Sequence, residues 1–228
     1  MHKNEIAKEV VALRARYLQQ QIWNERATLC DLGVVPQDPV DLLEPGLGFK
    51  ILGFSIATDE LGEISENGRR VRAAGSIDWR TKQVTISPNF SRIEQLFTAA
   101  HELGHAILHP GLKLHRDKVV SGPSPRRDFR EMEADHFAAC FLMPERLLRR
   151  RLLDSFAFQS FELNDQTAYA LCKKNAYEVK SAYRTRRHIS MAIATAENYN
   201  SRNFRSLATY FCVSPTTMAI RLEELGIV

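Results

Sequence analysis

The chain has 228 residues, with 31 Lys and Arg against 27 Asp and Glu, a formal charge of +4. Its 44% hydrophobic and 25% charged residues suit a packed globular protein and exclude a mainly disordered chain. So small a basic excess is no general nucleic-acid coat, and the longest clean apolar run, residues 137–143, is far too short for a membrane span.

The opening MHKNEIAKEVVALRARYL carries charges throughout and reads as a helix, with Ile6, Val10, Leu13, Tyr17 and Leu18 at helical spacing. It has no apolar core of the kind a secretion signal needs. Pro36, Pro39 and Pro45 then punctuate a loop with room for one short helix near residues 40–43. Residues 49–56, FKILGFSI, are β-prone, and a polar loop is expected over residues 58–70. Residues 73–87 read as a hairpin turning near residues 80–82. Ser91 with Glu94 three residues on makes a capping box, so a helix should run from there to about Leu108 and stop at Pro110–Gly111. The polar residues 112–127 are expected to be a mobile loop. Helices are expected at 128–142, 145–153, 165–179, 182–196, 204–211 and 215–225. Strands early and helices late imply an α+β fold. Cys30, Cys140, Cys172 and Cys212 contain no CxxC pair, which fits a reducing cytoplasm.

One local pattern speaks to chemistry. His101-Glu102-Leu103-Gly104-His105 is an HExxH match within a segment that reads as helix. Residues four apart share a helix face, with Cβ atoms about 6 Å apart, so both imidazoles can reach one Zn²⁺. Glu102 then stands beside the remaining coordination position, where a base can take a proton from water. A chance HExxH on an ordinary helix is the bland alternative. A third ligand is still needed. The metzincin pattern requires Gly at 108 and His at 111, and this chain has Leu108 and Gly111. His109 lies about 12 Å along the axis from His101, too far to share its ion. The next helix offers Glu131 and Asp135 on one face, suiting a ligand carboxylate and a second carboxylate that orients a histidine. Glu133 and His136 stay open as alternatives to Glu131, and the bland alternative is that these acids simply start a helix.

FTAAHELGHAILH, followed by Glu131, Ala134, Asp135, Phe137, Ala138, Leu142, Met143 and Pro144, resembles the ImmA/IrrE family of zinc metallo-endopeptidases. The hairpin at residues 74–88 resembles the strand pair before that family's active-site helix. Asp135 stands where Asn is commoner. The resemblance covers residues 1–153 and implies a zincin-like domain with a small antiparallel sheet on the HExxH helix. It implies that His101, His105 and Glu131 bind zinc and that Glu102 is the catalytic base. It also implies a substrate class, helix-turn-helix repressors, whose removal derepresses mobile elements or stress genes. Residues 154–228 are then expected as a helical C-terminal region.

Residues 203–228 read as helix-turn-helix, with Ser214 as cap, Pro215 in the first turn and a small core of Leu207, Ala208, Phe211, Val213, Met218 and Leu222. Cys212 stands at the turn where Gly is usual. An outer face of Thr216, Thr217, Arg221, Glu223 and Glu224 suits phosphates poorly, so direct DNA binding is not expected. Arg146, Arg149, Arg150 and Arg151, then Lys180, Arg184, Arg186, Arg187 and His188, form basic clusters that are either solvated helix faces or a docking surface. Tyr169, Tyr177, Tyr183 and His188 are candidate oxyanion donors. A substrate is expected to lie along residues 83–87 if they form a free sheet edge. The rival function is a non-catalytic anti-repressor or transcription regulator that binds protein and holds a structural zinc.

Overall fold

The computed structural model describes residues 3–30, 35–66, 69–111, 115–118 and 128–228. They form two compact units, Met1–Leu142 and Met143–Val228.

The first unit begins with α1 (Lys3–Leu29), which buries Val11, Ala15, Leu18 and Ile22 at steps of four, three and four. After a 3₁₀ turn at Pro39–Leu42, capped by Asp38, comes α2 (Pro45–Ile51). Residues 49–51 therefore belong to a helix and not to the strand their composition suggests. Pro45 pre-sets the first turn, Gly53 turns left-handed just past the end, and Phe49 is fully buried. Tertiary burial overrides β-propensity there. The strand is confined to β1 (Ser55–Thr58).

The expected loop at 58–70 contains β2 (Glu63–Glu66) and the start of β3 (Arg69–Asp78). The hairpin forms as read: β3 turns through residues 79–82 into β4 (Gln83–Ile86). Next come α3 (Arg92–Leu108), β5 (His115–Lys118) and α4 (Phe129–Leu142). Of the stretch expected as a mobile loop, residues 115–118 are thus a strand, and 112–114 and 119–127 lie outside the described residues. The sheet is mixed. β1 runs parallel to β4, β4 antiparallel to β3, and β3 pairs antiparallel with β2 through residues 69–72 and with β5 through residues 73–77. β4 is therefore internal, so residues 83–86 offer no free edge for a substrate.

The second unit holds α5 (Glu145–Phe156), α6 (Asp165–Cys172), α7 (Ala176–Ala182), α8 (Arg186–Thr195), α9 (Leu207–Tyr210) and α10 (Pro215–Glu224). The long helix expected at 165–179 is broken because Lys173 adopts a left-handed conformation and Asn175 opens a new capping box with Glu178. A two-residue hairpin, β6 (Asn198–Tyr199) with β7 (Arg202–Asn203), interrupts the helices. Its Tyr199 joins Phe156, Phe158, Phe161 and Phe204 in one ring cluster. The α+β class holds. Among the described residues, no helix is long and apolar enough to cross a membrane.

Candidate metal centre

The site starts from two helices. Ser91 Oγ accepts the Glu94 N–H at 3.3 Å, and the Glu94 carboxylate accepts the Ser91 N–H at 2.9 Å, so α3 begins where the capping box places it. Residues 99–106 of α3 are all buried, and three of them are polar: His101, Glu102 and His105. Burying ionisable side chains costs free energy unless they are paired or used. α4 crosses α3 at Gly104. A Cβ there would sit 3.1 Å from Ala134 Cα and 3.1 Å from Phe137 Cβ, so any side chain would require α4 to give by a few tenths of an ångström. α4 is itself held by α1, where Gln19 Nε2 donates to the Cys140 and Phe141 carbonyls at 3.2 and 2.8 Å. These are among the last carbonyls of the helix, which lack partners of their own.

This crossing brings one turn of α4 against the HExxH face. His101 Nε2 and His105 Nε2 are 3.0 Å apart. Glu131 spans both, Oε2 lying 3.4 Å from His101 Nε2 and Oε1 3.5 Å from His105 Nε2. A tetrahedral ion with ligands at about 2.0–2.1 Å places them about 3.3–3.4 Å from one another. The His–His distance and the nearest Glu131 oxygen to each imidazole fall close to that spacing, each imidazole facing a different oxygen. With one ligand atom each, the three residues lie within 4.8 Å of one another, the one cluster of this kind among the described residues. Asp135 Oδ1 lies 2.9 Å from His101 Nδ1. With Nδ1 donating to that carboxylate, His101 Nε2 keeps its lone pair for an ion, the usual arrangement of a ligand imidazole.

The alternatives point elsewhere. Glu133 Oε2 lies 3.4 Å from His109 Nε2, one turn beyond the triangle. Burial and the neighbouring His105 pull His109 below the ordinary histidine range, and Glu133 offsets part of this. His136 Nε2 faces the Cys140 thiol at 3.6 Å. Gln19 and Gly104 were not singled out from the sequence. The roles of both depend on which helix crosses which, and no spacing within one helix reveals that.

The C-terminal surfaces differ from expectation in one respect. Arg221 is buried, with Nε donating to the Met143 carbonyl at 3.3 Å, so it is not on the outer face of α10. The expected small core is buried as read. Cys212 adopts φ +52 at the α9–α10 turn. Several clustered arginines are tied to the same helix end. Arg149 donates to the Leu225 carbonyl at 3.0 Å, Arg186 to the Glu223 carbonyl at 3.0 Å, and Arg187 makes a two-point contact with the Glu223 carboxylate at 2.7 and 2.9 Å. That pair holds Glu223 below its ordinary pKa. The candidate oxyanion donors Tyr169, Tyr177, Tyr183 and His188 all belong to the second unit.

A mixed sheet, a buried HExxH helix and a carboxylate from the following helix make this a zincin-like, metallopeptidase-like domain. Residues 50–179 match the peptidase M78 family model, the IrrE N-terminal-like domain, and the chain belongs to that family. It is also similar to a protein of Bacillus phage phi105 named uncharacterized immunity region protein 2, with 34% identity over 70 residues. That match covers 30% of this chain and 42% of the phage protein, so the chain spans under half the length of this relative. No solved structure matches.

Proposed function

We propose that the protein is a zinc-dependent endopeptidase of a reducing, cytoplasmic setting, and that its substrate is a DNA-binding helix-turn-helix repressor. The observation that carries the reading is the donor triangle of His101, His105 and Glu131, with Glu102 buried beside it on α3. His101, His105 and Glu131 would hold the ion. Zinc in such a set supplies a Lewis acid for the scissile carbonyl and lowers the pKa of water to roughly 7. Glu102 accepts the proton of the attacking water and returns it to the leaving amine. Asp135 fixes the ring of His101 through Nδ1. The name of the phage relative, an immunity region protein, supports a repressor as substrate. With its one arginine turned inward, α10 presents exposed Thr216, Ile220 and Glu224, which argues against a direct DNA-reading role.

The test compares new protein N-termini in cells expressing the wild type or Glu102→Gln. We expect termini inside a helix-turn-helix repressor with the wild type only, and a rate loss of about 10²–10⁴ for the purified variant. Equal repressor inactivation by a zinc-loaded Glu102→Gln would overturn catalysis and leave a docking anti-repressor with a structural zinc.

A further inference from the structure

Gly75, near the middle of β3, is an odd residue by strand criteria. It is not among the glycines with positive φ, so its backbone does not require glycine. Its position pairs with Ile86 of β4 on one side and with Asp117 of β5 on the other. Glycine weakens such an interior strand position and is usually found there because something approaches closely. What approaches is the acid of the HExxH motif. A Cβ at residue 75 would lie 2.5 Å from Glu102 Oε1 and 3.1 Å from Glu102 Cγ. It would also lie 2.7 Å from Thr98 Cγ2, one turn earlier on α3. Ordinary contact starts at 3.4 Å, so Oε1 would have to retreat by nearly 1 Å.

The crowded atoms are all in side chains: the end of Glu102 can swing away, whereas Thr98 Cγ2, one bond from its own Cβ, clears only by a rotamer change or a small local shift. The carboxylate has to move. Glu102 is 0% exposed, so there is no open solvent beside it to take up the displacement. The three nearest neighbours of the added carbon belong to Glu102 and Thr98, and none is a metal-ligand candidate.

We propose that Gly75 is a positioning residue for Glu102: its missing side chain is the slot that holds the carboxylate in register with the His101, His105 and Glu131 donors. The proposal rests on the metallopeptidase reading above. A misplacement of about 1 Å at a catalytic group costs on the order of 10²-fold in rate, so one methyl at residue 75 should nearly silence the enzyme without removing a ligand.

The test loads metal-free protein with Co²⁺ and records uptake, melting temperature and the visible spectrum, which reports the surroundings of the ion. The proteins are wild type, Gly75→Ala, Glu102→Gln, Glu102→Ala and Gly75→Ala/Glu102→Ala. Gly75→Ala should take up Co²⁺ like the wild type and show at least half the spectral change of Glu102→Gln. It should add no spectral change on the Glu102→Ala background, where the crowded carboxylate is gone. If Gly75→Ala folds poorly, the same comparison in a Thr98→Ser background removes the Cγ2 contact and keeps the one to Glu102. A wild-type spectrum in fully loaded Gly75→Ala, or an equal change with and without Glu102, would overturn the positioning role while leaving the metal site standing. No Co²⁺ uptake by the folded wild type would instead bring down the metallopeptidase reading and this proposal together.

Discussion

The helix pairs α3–α4 and α9–α10 use buried polar residues in opposite ways. In α3–α4, His101, Glu102 and His105 are buried, and the two imidazoles converge with Glu131 on one point. In α9–α10, the buried polar side chain is Arg221, whose Nε donates to a backbone carbonyl and whose Nη1 lies 3.4 Å from Glu224. The first arrangement gathers lone pairs close enough to share one ion. The second uses up its charge in holding the chain together. A motif's outline therefore says less than the direction of its polar atoms. Two helices stand where a helix-turn-helix was expected, but their buried cation serves structure. The HExxH outline is present, and its donors meet.

That contrast can be sharpened by removing one support at a time. The largest effect is expected from Asp135→Ala, which takes the acceptor from His101 Nδ1. Metal affinity should fall about 10–100-fold, equivalent to about 1.4–2.7 kcal/mol, as read by competition with a chelator. Loss of this size without a change in melting temperature separates an orienting role from a packing one. Gly104→Ala comes next. The added carbon meets the α4 backbone at 3.1 Å and forces the helices apart, a cost of about 1–3 kcal/mol offset in part by about 1 kcal/mol of helix propensity. Denaturant unfolding should show a net loss, and metal uptake should weaken with it. The smallest effect is expected in the second pair. Cys212 is left-handed at φ +52, so Cys212→Gly should stabilise the protein by about 1 kcal/mol and leave metal uptake unchanged. A destabilised Cys212→Gly would show that the thiol, and not the backbone, decides that turn.

Much of the site was legible in the sequence because it is written in helical periods. HExxH spacing, the Ser91–Glu94 box and the four-residue step from Glu131 to Asp135 are all local, and a helix turns them directly into geometry. Spacing along α4 alone left Glu133 and His136 open, because choosing between faces requires knowing where α3 lies. The sheet was less legible for the same kind of reason. β2 and β5 are short polar segments that become strands only beside β3, and residues 49–51 become helix because Phe49 is buried between Pro45 and the Gly53 turn. Gln19 and Gly75 act on partners 121 and 27 positions away in sequence, on Cys140 and Glu102, and no pattern along the chain marks such pairs.

The most direct test of the central claim is metal content of the purified wild type beside Glu131→Ala and Glu133→Ala. The account predicts about one zinc per wild-type chain, retained in Glu133→Ala and lost in Glu131→Ala. A wild type that stays metal-free after zinc is supplied, or loss in Glu133→Ala alone, would contradict it.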